Sequence, residues 1–436
     1  IKNLIDKSNV AEDLMKIRVS EKNNELKEQQ SSLLKISKEI SLIENLDNLT
    51  PQKYQQLLIK YEEKRLLVSK MFENSQNLSG LINEKNLNTK TLQTNLSEKE
   101  YLLTYFFLGL NTWAVVVSAS EINLIQLEPT VYDAGYKIDK LRLSLNSNFD
   151  LKISNELYKL LFEKVEKFLE EDSSIYLYKT SEIRVPFNIL TRTYESSQNY
   201  QANLLRSDWL IKHYAFAKYF PVDLEQQIDR EYKNTYLGMA NTNSYELFEL
   251  PNLSETAKEV VNLGISSNAK FEDIFIGNNA TKEKLVEEIE NGYEKIVIAT
   301  HTVPPGWQWQ INEPALIFHS ENNDNYLTAS EISQFDLQTD MVVLSSCNED
   351  TIGAPQLFKS FLVAGANSIV HANWKLESKF SNEFTDEFFK KLWINKDLKK
   401  HEAMRSVALG FINDYSDEKY IDPAFWGNFS IAYSTL

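Results

Sequence analysis

Cysteine is nearly absent from this chain, with one residue, Cys347, in 436. A single thiol closes no internal disulfide and builds no four-cysteine zinc site, and it fits a reducing compartment. Any cysteine chemistry must therefore run through Cys347. Glycine is scarce too: 12 residues, under half the usual ~7% share, which argues against Gly-rich repeats and long flexible linkers. Positive charge is in short supply. Against 62 Asp and Glu stand 46 Lys and Arg, a formal net charge of −16. A general nucleic-acid surface needs clustered cations against phosphates, so direct nucleic-acid binding is not expected. Of the five histidines, His319, His371 and His401 are candidate ligands. None pairs at a His-x-x-x-His spacing, so neither metal nor cofactor is expected. Walker, Gly-x-Gly-x-x-Gly and Gly-x-Ser-x-Gly motifs are missing, which removes the main residues of nucleotide and serine hydrolysis.

Apolar residues at 42% and charged residues at 25% describe an ordinary folded chain of two to four domains. Ile1 rather than Met stands first and no basic-then-apolar leader follows, so a piece of a longer cytoplasmic protein is expected. One stretch, Tyr101 to Ser120, carries no charge and is long enough to span a bilayer. Its polar Thr104, Asn111 and Thr112 and the turn-like 109–112 favour a β-hairpin instead, and no membrane association is expected.

Residues 1–100 hold one Gly (Gly80) and one Pro (Pro51), with Leu26, Leu33, Ile36, Ile40 and Ile43 at helical spacing. This reads as an arm of two or three amphipathic helices, a hairpin or short coiled coil, with Thr50 as a cap before Pro51. From about 101 strands and helices alternate. Short strands fall at 113–117, 123–127 and 175–178, with a helix over 154–169 and a new unit opening at 234–239. There, helices at 254–263, 281–290, 356–364 and 381–392 alternate with strands at 273–276, 295–300, 341–346 and 368–372. Crossover spacing of this kind predicts an α/β fold, a mostly parallel sheet flanked by helices.

Two reactive side chains occupy equivalent places in that pattern. His301 follows the strand Lys-Ile-Val-Ile-Ala-Thr, and Cys347 follows Met-Val-Val-Leu-Ser-Ser. Sites in open α/β sheets form outside the carboxyl ends of strands. Were the two strands neighbours, thiol and imidazole would lie about one strand spacing of ~5 Å apart, a geometry for an activated nucleophile. Spacing alone also fits a small buried cysteine.

The wording of these strands adds to the reading. Tyr293 to His301 resembles the "Ala-Thr-His-Gly" strand of CHAT-domain peptidases, and Val342 to Asn348 resembles their "Val-Leu-Ser-Ala-Cys" strand. Phe358 to Ile369 followed by Trp374 is similar to the family's "Ala-Phe-Leu-Ala-Gly-Ala-Arg-Ser-Val…Trp" run. Arg184 to Phe187, Leu250 to Thr281 and Trp426 to Phe429 match further segments in order, so the resemblance covers about 101–436. It implies a caspase-like cysteine endopeptidase, of a type often attached to tetratricopeptide repeats and related to separase. Residues 236–436 would be the active unit. A degenerate caspase-like unit, 101–235, and the helical arm would precede it.

What the resemblance implies chemically is a His301–Cys347 pair, with an oxyanion hole from the backbone N–H groups of Thr302 and Cys347. The family places Gly where Thr302 stands, and a β-branched residue would be strained if that position needed positive φ. Candidate substrate contacts are Trp307, Ser345, Glu349, Asp350, His371, Trp374 and Glu377. Trp307 and Trp309 read equally as loop packing, and Ser345 brings no charge. The partners implied are a protein substrate and an activating protein or ribonucleoprotein reached through the helical arm, in a bacterial defence or cell-death setting. The competing reading is a catalytically silent scaffold for protein–protein interaction.

Overall fold

The computed structural model describes residues 89–108, 111–127, 131–178, 186–195, 199–221, 231–243, 250, 252–304, 313–320, 325–348, 354–375, 377–413 and 418–436, with isolated helical positions between 32 and 63. Most of the expected arm, with Thr50, lies outside the described residues. The chain forms two compact units. One contains Leu87–Asp223, Ile265–Asn268 and Asn367–Leu436, the other Leu224–Gly264 and Ala269–Ala366.

The first unit opens with helix α1 (Thr89–Asn95) and three strands, β1 (Glu100–Leu108), β2 (Asn111–Val117) and β3 (Ile122–Leu127). The uncharged stretch is indeed a hairpin, with β1 antiparallel to β2 from Leu102↔Val117 to Leu108↔Asn111. Alternation explains it: Leu103, Tyr105, Ala114 and Val116 are buried on one face of the pleat. Among the described residues no helix is long and apolar enough to cross a membrane. Helices α2 (Val131–Ser144) and α3 (Leu151–Leu161), strand β4 (Ser173–Tyr178), helix α4 (Tyr200–Arg206) and strand β5 (Tyr214–Tyr219) follow. One helix was expected over 154–169. The chain instead leaves α3 where the amides of Phe162 and Glu163 share the Tyr158 carbonyl, then forms a short 3₁₀ turn at Glu166–Phe168. That break lets Phe162 reach the rings of Phe187, Tyr214 and Phe216 at 5.5–6.0 Å.

In the second unit the elements are β6 (Asn234–Ala240), α5 (Ser254–Ser266), β7 (Ile274–Ile276), α6 (Lys282–Glu288), β8 (Tyr293–Ala299), β9 (Thr302–Val303), β10 (Ala315–Ile317), β11 (Tyr326–Thr328), α7 (Ala329–Ile332), β12 (Thr339–Asn348) and α8 (Ala354–Ala364). Strands β12, β8, β6 and β7 lie side by side in that order, all parallel. Thr281 caps α6 by accepting from the Lys284 amide, and a capping box of Thr328 and Glu331 starts α7. Helix α5 begins at Ser254 itself, so the residue expected to cap it is its first member. A second, three-stranded sheet, β11-β10-β9, was not anticipated. It closes a small core of Val303, Ala315 and Ile317, against which Leu250 and Tyr326 pack.

The chain returns to the first unit with β13 (Ala366–Ala372), α9 (Ser378–Ile394), α10 (Lys400–Asn413), α11 (Pro423–Trp426) and β14 (Phe429–Tyr433). The strand order there is β3-β2-β1-β4-β5-β14-β13, with β1, β4, β5 and β14 parallel and the remaining pairings antiparallel. Strands β1, β4 and β14 and helix α10 meet in a buried polar cluster. His401 sits between the hydroxyls of Ser174 (2.8 Å) and Tyr433 (3.1 Å), and Lys399 and Tyr176 bind the Glu100 carboxylate. Burial first, then the charges of Lys399 and Lys400 against that of Glu100, pushes the His401 imidazole down to about 3. Burial opposes ionisation of Glu100, but Lys399, Tyr176 and the Ser97 amide outweigh it and hold the carboxyl at about 2.

Both shifts have the same sign for stability. Between pH 6.5 and 3 the unfolded chain protonates His401 while the fold keeps it neutral; between 4.5 and 2 the unfolded chain protonates Glu100 while the fold keeps it charged. Stability should therefore fall as pH drops below 6.5. By pH 4 His401 alone costs about 3 kcal/mol at ~1.4 kcal/mol per unit. Urea titrations at pH 7 and pH 4 read this directly, and His401→Gln should flatten the difference. An unchanged acid sensitivity in that variant would exclude His401 as its source.

Candidate active site

Strand β8 is buried because Ile296, Val297, Ile298 and Ala299 are apolar on both faces of the pleat, and Met341–Leu344 of β12 repeat the pattern. The register runs from Met341↔Lys295 to Leu344↔Ile298, an offset of 46 residues. Cys347 and His301 are separated by the same 46. The printed pairs end at Leu344↔Ile298 and β8 at Ala299, so the same offset carried onward would bring His301 and Cys347 to one level beyond the carboxyl edge. His301 is half-buried.

Beyond Ala299 the chain is bolted in place by polar groups. The Asn241 amide N–H donates to the Ala299 carbonyl at 2.9 Å. The Asn241 side chain, fully buried, donates to the Ile317 carbonyl at 2.8 Å and to the Thr300 hydroxyl at 3.4 Å, and Thr300 in turn donates to the same carbonyl. The Ile317 amide then donates to the His301 carbonyl at 3.0 Å. These bonds tie the end of β8 to the end of β10 and fix the exit direction of His301. Asn241→Ala is expected to destabilise the fold by about 1–3 kcal/mol, since it strands buried acceptors. Thermal melting checks the cost, and a variant as stable as the wild type would contradict the role.

Thr302 pairs with Leu316, and Val303 with Ala315, in antiparallel register. With the Ile317 amide bonded to the His301 carbonyl, Thr302 occupies the non-hydrogen-bonded position, so its N–H points away from β10. Its backbone is extended. The described non-glycine residues with positive φ are Lys99, Asp172 and Asn268, so the strain considered for a β-branched residue here does not arise. A threonine suits a strand as well as a glycine does.

Ser345 lies two residues before Cys347, and its hydroxyl donates to the Glu259 carboxylate of α5 at 2.5 Å. Trp307, Glu349 and Asp350 lie outside the described residues. His371, Trp374 and Glu377 belong to the first unit. There His371 is buried in β13, the Trp374 indole donates to the Ala424 carbonyl at 2.8 Å, and exposed Glu377 pairs with Lys419 at 3.0 Å. His319 lies 3.2 Å from the Asn243 side chain. Among the described residues no cluster of three or more metal-binding side chains occurs.

Asn241, Thr300 and Glu259 were not anticipated as site residues. Glu259 did leave a signal. It falls in the stripe Thr256, Glu259, Val260, Leu263, whose spacing puts a carboxylate on the buried side of an amphipathic helix.

The fold is α/β, with the parallel strands β8 and β12 leading at their carboxyl ends toward His301 and Cys347. The CHAT domain family model matches residues 151–434, well over half of the chain, which therefore belongs to the CHAT-domain family. Among solved structures the chain is similar to two crystal structures of the Saccharomyces cerevisiae separase–securin complex, at 10% and 11% identity and a TM-score of 0.46 in each. Each likeness covers 93% of this chain and 37% of the other, so the chain spans little more than a third of those relatives' length. No curated protein matches it.

Proposed function

We propose that the chain is a caspase-like cysteine endopeptidase that cleaves a protein substrate through Cys347 and His301. The observation that supports this most is the shared 46-residue offset of the β8–β12 register and of the two side chains, in a member of the CHAT-domain family. His301 takes the thiol proton, and the Cys347 sulfur attacks the scissile carbonyl. The N–H groups of Cys347 and Thr302 hold the oxyanion, a contribution typically about 3–4 kcal/mol per donor. The tetrahedral intermediate collapses as His301 protonates the leaving amine, and water then hydrolyses the thioester to regenerate the thiol. In this reading 101–235 is a degenerate companion unit, and the arm 1–100 receives an activating protein in the cytoplasm, in a bacterial defence or cell-death setting.

The silent-scaffold reading drew its support from Thr302, and an extended Thr302 weakens it. The test is an electrophilic peptide probe, such as a peptidyl acyloxymethyl ketone, offered to the full chain with and without a lysate containing its activator. Labelling in the wild type that falls sharply in His301→Ala supports the enzyme. Labelling that is equal in the two refutes it.

A further inference from the structure

We infer that Glu259 is a positioning residue for the nucleophile strand, acting through Ser345. The inference rests on the peptidase reading above. Its starting point is a carboxylate where the fold alone favours an apolar side chain. Glu259 is 2% exposed and shares its helix face with the fully buried Val260 and Leu263. A carboxylate in such surroundings is costly to desolvate and needs strong hydrogen bonds. It accepts one from the Ser345 hydroxyl at 2.5 Å.

The place of that bond along β12 gives it a purpose. Strand β8 ends at Ala299, the position opposite Ser345 by the 46-residue offset, while β12 runs on to Asn348. Residues 346–348 therefore pass beyond the last residue of β8, and the Ser345–Glu259 bond lies at the point of departure. Position 345 is two residues before 347 on the same strand. A tether at 345 thus sets the height and twist at which residue 347 is presented.

The other end of the tether is itself anchored. The Tyr236 hydroxyl on β6 donates to the Val260 carbonyl of α5 at 2.6 Å. Burial, reinforced by the nearby Glu259 charge, pushes that hydroxyl well above the usual phenol range, so it stays a donor. Gly238 and Gly264 admit the ring: an added Cβ at Gly238 would lie 2.6 Å from Val260 Cγ1 and 2.7 Å from the Tyr236 ring, and one at Gly264 3.2 Å from it. A continuous path thus runs from β6 through Tyr236, α5, Glu259 and Ser345 to the end of β12.

The lone cysteine makes the test possible without a known substrate. Iodoacetamide alkylation of the full chain, followed by intact mass from pH 5 to 10, reports on Cys347 alone. In Ser345→Ala the rate at pH 7 should fall about fivefold or more, and the pH midpoint should rise toward the ~8.5 of an ordinary thiol. Ser345→Thr, which keeps the hydroxyl, should restore the wild-type profile. Glu259→Gln should weaken it, and combining Glu259→Gln with Ser345→Ala should add nothing, as members of one linkage behave. Thermal melting of each variant checks that it is folded. A low wild-type midpoint that neither single variant moves, even with a lowered melting temperature, overturns the positioning role and leaves the peptidase reading standing. A wild-type midpoint already near 8.5 overturns both.

Discussion

Cys347→Ala should abolish cleavage of the native substrate, with a loss of about 10⁴–10⁶ in kcat, the scale on which removing a nucleophile or its base from a covalent catalyst is felt. His301→Ala should lose nearly as much. Cys347→Ala/His301→Ala should be no slower than either single variant, because both act in the same step and their effects do not add. No second thiol exists to substitute for the first, so residual activity in Cys347→Ala cannot come from another cysteine of this chain. The readout is gel or mass analysis of substrate incubated with full-length protein and its activating partner. Undiminished cleavage by Cys347→Ala would remove the nucleophile assignment, however well the register fits.

The largest effect on stability is expected at Gly365. It follows α8 with φ at +118°, a region an L side chain rarely adopts. An added Cβ would lie 2.3 Å from the Leu337 carbonyl oxygen, and Leu337 cannot easily retreat, because its own amide donates to the Ala364 carbonyl at 2.7 Å. Backbone strain and collision with a main-chain atom together put Gly365→Ala at about 3–5 kcal/mol of destabilisation. In a unit of this size that is on the order of 10 °C in Tm. Gly410 is the control, since nothing lies within 4 Å of a Cβ built there and it sits inside α10. Gly410→Ala should be neutral or stabilising by up to about 1 kcal/mol. Equal melting temperatures for the two variants would contradict the account of Gly365.

How far the sequence could be read depended on where local pattern and tertiary structure agree. Strands β8 and β12 were legible because a parallel strand buried on both faces must be apolar at every position, and Ile296–Ala299 and Met341–Leu344 are. Gly365 was legible as a helix terminator, and the hairpin because Thr104, Asn111 and Thr112 do not suit lipid. The sheet of β9, β10 and β11 was not, because strands of two or three residues carry too few side chains to show a period. Nor was it visible that 367–436 packs with 87–223, since contacts so distant in sequence leave no local trace. His301 and Cys347 stood out in the sequence by position and residue type. Glu259 was legible only as a carboxylate in an otherwise buried helix stripe, and its partner Ser345 could not be read from spacing.

The central claim is that His301 activates Cys347. The most direct measurement is the pH dependence of alkylation of the lone cysteine in the wild type and in His301→Ala. The account predicts a wild-type midpoint well below the ~8.5 of a free thiol and a return to about that value in His301→Ala. Superimposable profiles for the two proteins would contradict it.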